Sequence, residues 1–304
     1  MPSYRILALD GGGIRGLYTA ILLDRLSQRV PGFTGRADLL AGTSTGGILA
    51  LGLAKGVSLQ ALIGLYQNNG SDIFSSTLWH EIRDLGDLIG AKYDNDNLIQ
   101  LIQGTFGGAT LNDLLPRHVL IPSFDLDNQA VAPAPRFWKP KFFHNFAGPD
   151  SDGAQLIADV ALRTSAAPTY FPAYQGYVDG GVVANNPSMA ALAQALDPGT
   201  GNQQLVDLRI FSIGTGTTPQ FVSGATLDWG LAEWAPVLAN MMIEGMMGVA
   251  DYECARLLKN NYFRLAPFLP EPIPLDCTDK MQQLIDYANA VDITAAVNWL
   301  TANF

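Results

Sequence analysis

The chain has 304 residues, 48% of them apolar and 15% charged, and carries a net charge of −10 at pH 7. This length and apolar content exclude a disordered chain and a disulfide-stapled miniprotein, and they suffice for one large-cored domain over residues 1–304. The negative balance argues against nucleic acid, or an anionic lipid surface held by charge alone, because both call for basic patches.

Tyr4 to Leu9 is an apolar run that predicts a strand, and Leu17 to Gln28 predicts a helix. Between them lies Asp10-Gly11-Gly12-Gly13-Ile14-Arg15-Gly16. Consecutive glycines let backbone N–H groups approach a ligand, and the helix start behind them adds its positive dipole end, so this loop is expected to bind an anion. Gly11, Gly13 and Gly16 also satisfy the dinucleotide fingerprint, which needs an acidic residue at the far end of the second strand. Asp38 stands at the beginning of the second apolar run instead. The loop is therefore read as an oxyanion hole built from Gly11, Gly12, Gly13 and Arg15.

The second run, Ala37 to Ala41, leads into Gly42-Thr43-Ser44-Thr45-Gly46 and then the apolar stretch Gly47 to Ala54. A strand ending in G-x-S-x-G and entering a helix makes a sharp elbow, in which Gly42 and Gly46 permit the turn and the Ser44 hydroxyl is presented. The plainer reading is a glycine-rich turn. Leu59 to Asn69 and Asn95 to Gly104 read as helices, and the polar segment Ser71 to Ala91 between them as a candidate lid. His118 to Phe124 reads as a strand. Arg136, Lys139 and Lys141, interleaved with Phe137, Trp138, Phe142 and Phe143, fit a strand with alternating faces better than an interfacial patch.

Ala154 to Thr164 predicts a helix. Tyr177-Val178-Asp179-Gly180-Gly181-Val182 predicts a strand that ends in an aspartate exposed at a tight turn. Pro187 to Leu196 (helix), Leu208 to Ile213 (strand) and Asp279 to Leu300 (one or two helices) complete the pattern. Four of the seven methionines fall within Met241 to Met247. This suits an adaptable apolar groove, but Asn240, Glu244 and Asp251 share a polar face, which favours a core helix with partial exposure toward the cleft. Alternating strands and helices build a sheet covered on both faces, with the glycine loop, the serine turn and Asp179 all after strand ends. A hydrolase triad in the order serine, acid, histidine needs a late histidine, whereas this chain has only His80, His118 and His144. What the later half offers instead is Asp179, which on local sequence alone reads as an ordinary turn aspartate.

Taken together, these segments resemble the patatin-like phospholipase family. The match rests on Asp10 to Gly16, Gly42 to Gly46 and Asp179 to Gly181, in that order, with Ser165 to Pro172, Asn185-Asn186-Pro187 and Ser212 to Gly216 as further likenesses. It covers about residues 4 to 216 and, more loosely, Trp234 to Leu265. The resemblance implies a three-layer α/β/α fold with a mainly parallel central sheet. It implies a Ser-Asp dyad, Ser44 as nucleophile and Asp179 as base, hydrolysing lipid acyl esters in the manner of a phospholipase A or lysophospholipase. Neither a metal nor a cofactor is implied. A lipid ester is the expected substrate and a membrane or micelle surface a transient partner. An acyltransferase using the same serine and a noncatalytic lipid-binding or storage protein are the rival readings. Arg15 is expected to fix its loop by pairing with a carboxylate, the other reading being contact with a lipid phosphate. With a pKa of about 3.9 an aspartate is a weak base, which shifts weight onto the oxyanion hole.

Cys254 and Cys277 are too far apart in sequence, and too far from histidines, to form a metal motif, and both read as buried thiols of a reduced interior. A strand from Tyr4 leaves no room for a secretory leader, and no apolar run is long enough for a membrane span. A cytoplasmic protein is expected, with export by a leaderless route as the other address.

Overall fold

The computed structural model describes residues 3–73, 93, 95–224 and 226–304. Seven strands form one sheet: β1 (Tyr4–Leu9), β2 (Leu39–Gly42), β3 (His118–Asp125), β4 (Lys139–His144), β5 (Tyr177–Asp179), β6 (Leu208–Ile213) and β7 (Tyr262–Leu265). Their order is β4-β3-β2-β1-β6-β7, with β5 also paired to β3. β1, β2, β3, β6 and β7 run parallel, whereas β4 and β5 are antiparallel to β3. This is the mainly parallel α/β sheet expected.

The period of two explains the layers. Leu7, Leu9 and Leu40 face a large core shared with α1 (Gly16–Arg29) and α2 (Thr45–Lys55). Ile6, Ala8, Leu39 and Ala41 face a second core with α7 (Ser188–Leu196) and α8 (Leu231–Leu258). Strands buried on both faces read as continuous apolar runs, as β1 and β2 do. α3 (Leu59–Ile73), α4 (Asp96–Phe106), α5 (Ile157–Ser165), α6 (Gly181–Ala184), α9 (Met281–Ala290) and α10 (Thr294–Asn303) are the remaining helices described.

One detail of register places the site. β2 pairs only with the first part of β3, Leu39 opposite His118 and Ala41 opposite Leu120. β5 pairs with the last part, Asp179 opposite Ser123 and Tyr177 opposite Asp125. The two short strands thus use successive stretches of β3. The end of β2, where the serine turn begins, and the end of β5, which carries Asp179, are brought together there.

The strand at Asp179 ends there, as expected. The structure departs from the sequence reading at several points, the first being that Gly181 opens α6. β7 was not anticipated, because Arg264 interrupts its apolar pattern. α8 spans 28 residues and is not a core helix throughout, since Met241, Met242 and Val249 are exposed. Lys139 to His144 is the expected strand. Arg136 pairs with Asp127 and Lys141 with Asp152, so two of the three cations in that cluster are neutralised. Cys254 is buried and Cys277 half-buried, both as free thiols. The candidate lid beyond the end of α3 and His80 lie outside the described residues. No described helix is long and apolar enough to cross a membrane.

Candidate active site

Ser44 occupies the junction of β2 and α2 with φ 55° and ψ −125°. A non-glycine residue in such a conformation costs about 1–3 kcal/mol and persists only where its surroundings impose it. Here they do. The Ser44 N–H donates to Thr164 Oγ1 (2.9 Å), the Thr43 N–H donates to the Leu9 carbonyl (3.2 Å), and Thr43 Oγ1 donates to the Ala184 carbonyl (2.6 Å). Gly42 and Gly46 are required by close approach: a Cβ on Gly42 would lie 2.1 Å from the Gly46 carbonyl oxygen, and one on Gly46 2.3 Å from that of Leu9. Ser44 is only 8% exposed.

Asp179 is 5% exposed and therefore buried, which corrects the expectation of an aspartate exposed at a turn. The Gly181 N–H donates to Asp179 Oδ1 at 2.7 Å, and the Ser44 side chain is near enough to the carboxylate to act on its pKa. Burial raises that pKa from the ordinary 3.8 to about 6, against the opposing pull of Ser44 and of the Gly181 N–H. The weak base inferred from an unperturbed aspartate is revised accordingly. Desolvation alone gives this carboxylate a proton affinity near that of an imidazole.

In the glycine loop the backbone donors divide into two sets. The Gly11 N–H is committed to the Asn185 carbonyl (3.1 Å), that of Ile14 to Leu275 (2.8 Å) and that of Arg15 to Gly12 (3.1 Å). The N–H groups of Gly12 and Gly13 have no acceptor among the described residues. The Arg15 guanidinium donates to Thr218 Oγ1 (3.0 Å), and no carboxylate among the described residues reaches ion-pair distance of it. Burial lowers its pKa, while the more distant Glu244 and Asp10 raise it. It remains a half-buried cation beside the loop. A Cβ on Gly11 would stand 3.2 Å from that of Ser44, so loop and serine are adjacent.

Three residues hold these parts together, of which the sequence reading notes only Asn185, as part of a family-like stretch and without a role. Thr164 in α5 accepts the Ser44 N–H, donates its hydroxyl to the Pro122 carbonyl (2.5 Å) and accepts the Gly180 N–H on its own carbonyl (3.3 Å), linking the serine turn to the aspartate turn. Nothing in a helical Arg-Thr-Ser run signals this. Asn185 accepts the Gly11 N–H on its carbonyl, and its Nδ2 donates to the Gly11 carbonyl (3.3 Å). Arg264 in β7 grips buried Asp10 with both guanidinium ends (3.1 and 2.6 Å), fixing the start of the glycine loop. A charge inside an otherwise apolar strand was the available signal.

The two described histidines lie elsewhere. His118 begins β3 opposite Leu39, at the far end of β2 from Ser44, and stacks on Phe146 at 4.0 Å. His144 pairs with Leu120 across the sheet and faces Asp150 at 3.4 Å.

The family model for patatin-like phospholipases matches residues 7–192, a span that includes the glycine loop, Ser44 and Asp179. A cGAMP-activated phospholipase of Pseudomonas aeruginosa is 35% identical over 272 residues, covering 87% of this chain and 78% of that protein. A protein of the same name from Vibrio cholerae is 33% identical, covering 90% and 84%. Patatin-like protein 2 of Arabidopsis thaliana is 29% identical, covering 77% and 66%.

Proposed function

Because this chain belongs to the patatin-like phospholipase family, hydrolases acting on lipid esters, we propose that it cleaves membrane-lipid acyl esters through an acyl-enzyme on Ser44, with Asp179 as base. The observation that carries this reading is the placement of Ser44 beside a buried carboxylate whose pKa is about 6, the serine and aspartate turns being tied together through Thr164. As Ser44 Oγ attacks the carbonyl carbon, Asp179 takes its proton. The oxyanion is received by the N–H groups of Gly12 and Gly13, and the half-buried Arg15 contributes positive potential beside them. When the tetrahedral adduct collapses, Asp179 returns the proton to the leaving alcohol. Water then attacks the acyl-enzyme, Asp179 accepts its proton, and the fatty acid leaves with Ser44 regenerated. Phospholipase A and lysophospholipase selectivity is tested with a panel of phospholipids, lysophospholipids, galactolipids, triglycerides and nitrophenyl esters. The panel is run with and without cGAMP, the activator for which three relatives are named.

This assignment fixes a pH profile. Only ionised Asp179 accepts a proton, so kcat/KM should rise about tenfold per pH unit below pH 6 and level off above it, with one ascending limb. Alanine at His118 or His144 should leave that limb in place. A limb that moves with either substitution assigns the base to histidine.

Gly12→Val tests the donors. Its Cβ would lie 2.3 Å from Thr215 Oγ1 and 2.6 Å from Thr215 Cβ, so the loop must shift away from the oxyanion position. A fall in kcat of about 10²–10³-fold is expected at unchanged circular dichroism, the scale of losing an oxyanion donor. Full turnover in this variant moves the hole elsewhere.

A further inference from the structure

We propose that the groove between α7 and α8 receives the fatty acyl chain of the ester held at Ser44, an inference that rests on the function proposed above. The groove encloses about 840 Å³, within the range of small-molecule sites, and its walls include Val183 and Ala184 of α6, Met189 and Ala190 of α7, and Met242 and Met246 of α8. Its walls are linked to the reacting groups through neighbouring residues on two sides. α6 directly follows Asp179 and Gly180, and the Ala184 carbonyl accepts the hydroxyl of Thr43, the residue before Ser44. Met247, next to Met246, accepts the Asn185 Nδ2–H on its sulfur at 2.9 Å, and Asn185 in turn holds Gly11 through both its carbonyl and its side chain.

The chemistry of the walls selects the occupant. Among the described residues the charged side chains lining the groove are Asp197 and Glu253, both acidic, so it repels a phosphate headgroup and suits an uncharged chain. Three thioethers, Met189, Met242 and Met246, give the walls the flexibility that chains of different length and unsaturation require. Met242, Gly245, Met246, Val249 and Glu253 recur at helical spacing on the groove stripe of α8, while Cys254 and Leu258 pack onto the sheet. Two of the four clustered methionines, Met242 and Met246, thus wall the groove rather than the core, and Met242 is 57% exposed.

Gly245 offers a clean test, because a Cβ built on it meets nothing within 4 Å. Gly245→Phe should fill the groove without disturbing the packing beneath, and loss of a helix-interior glycine leaves Tm unchanged or raised. Expected is a fall in kcat/KM for nitrophenyl palmitate of at least about tenfold, with nitrophenyl butyrate retained within about twofold. Met246→Trp, from the same stripe, should act in the same direction. A palmitate-to-butyrate ratio unchanged in both variants overturns the proposal. So does an unchanged ratio accompanied by an altered sedimentation coefficient, which would assign the groove to contact between two copies of the chain. A wild-type protein that cleaves no ester, or a Ser44→Ala protein that still does, instead sinks the role of Ser44. The groove is then judged by cis-parinaric acid binding to the Ser44→Ala protein. Displacement by palmitate and loss on adding Gly245→Phe support it, and binding indifferent to Gly245→Phe overturns it.

Discussion

Ser44→Ala is expected to lower ester hydrolysis by about 10⁴-fold or more while leaving the fold intact, since removal of a nucleophile costs the whole cooperative unit of serine, base and oxyanion donors. The loss falls on chemistry because the turn does not depend on the hydroxyl. Its conformation is set by main-chain and neighbouring side-chain bonds: Ser44 N–H to Thr164, Thr43 N–H to Leu9, and Thr43 Oγ1 to Ala184. Alanine keeps the Ser44 N–H and adds no bulk beside Gly11. Substrate binding is expected to survive, so kcat should fall far more than KM rises. Steady-state rates on the best ester of the panel, with fluorophosphonate labelling of both proteins, check the result. Persistent covalent labelling in the alanine variant would place the nucleophile at another residue.

Asp179→Asn is expected to have two opposite effects, a loss of activity of about 10³–10⁴-fold and a gain in stability at neutral and alkaline pH. The amide keeps the oxygen that accepts the Gly181 N–H but takes no proton from serine. The stability effect follows from linkage. The pKa of Asp179 is raised in the folded protein, so its contribution favours folding fully below the unfolded value of 3.8 and is lost as pH rises through about 6. Above pH 7 the ionised carboxylate therefore costs the folded state about 3 kcal/mol. Asparagine is neutral throughout and escapes that cost. Urea unfolding should show the variant more stable than wild type at pH 8 by about 1–3 kcal/mol, with the advantage shrinking toward pH 4. A variant less stable than wild type at pH 8 would mean that Asp179 is not held as a desolvated carboxylate. The same burial that destabilises the fold brings the base near neutral pKa, where transfer from a serine hydroxyl is least costly.

The local elements were legible because their determinants are local. β1, the glycine loop and α1 follow one another in an apolar run, three glycines and an amphipathic run, and β2, the serine turn and α2 repeat that logic. The glycines at 42 and 46 announce a close backbone approach whatever the rest of the chain does. Other features depend on partners far along the chain. Which N–H groups of the glycine loop stay available depends on Asn185, which consumes that of Gly11, and β7 is secured by Arg264 reaching Asp10 across the fold. α8 shows how far pattern falls short: apolar residues on most of its faces read as core, yet only one stripe meets the sheet and another walls a groove.

Composition, period and glycine placement determined on their own that this is an α/β protein with a glycine loop and a tight serine turn at strand ends, because each depends on residues within a few positions of one another. That Ser44 and Asp179 meet was decided only by the tertiary structure. β5 takes over the edge of β3 where β2 leaves it, and the aspartate is sealed from water there. Burial, and with it the pKa near 6, belongs to the packed assembly of distant segments, and no stretch of sequence carries it alone.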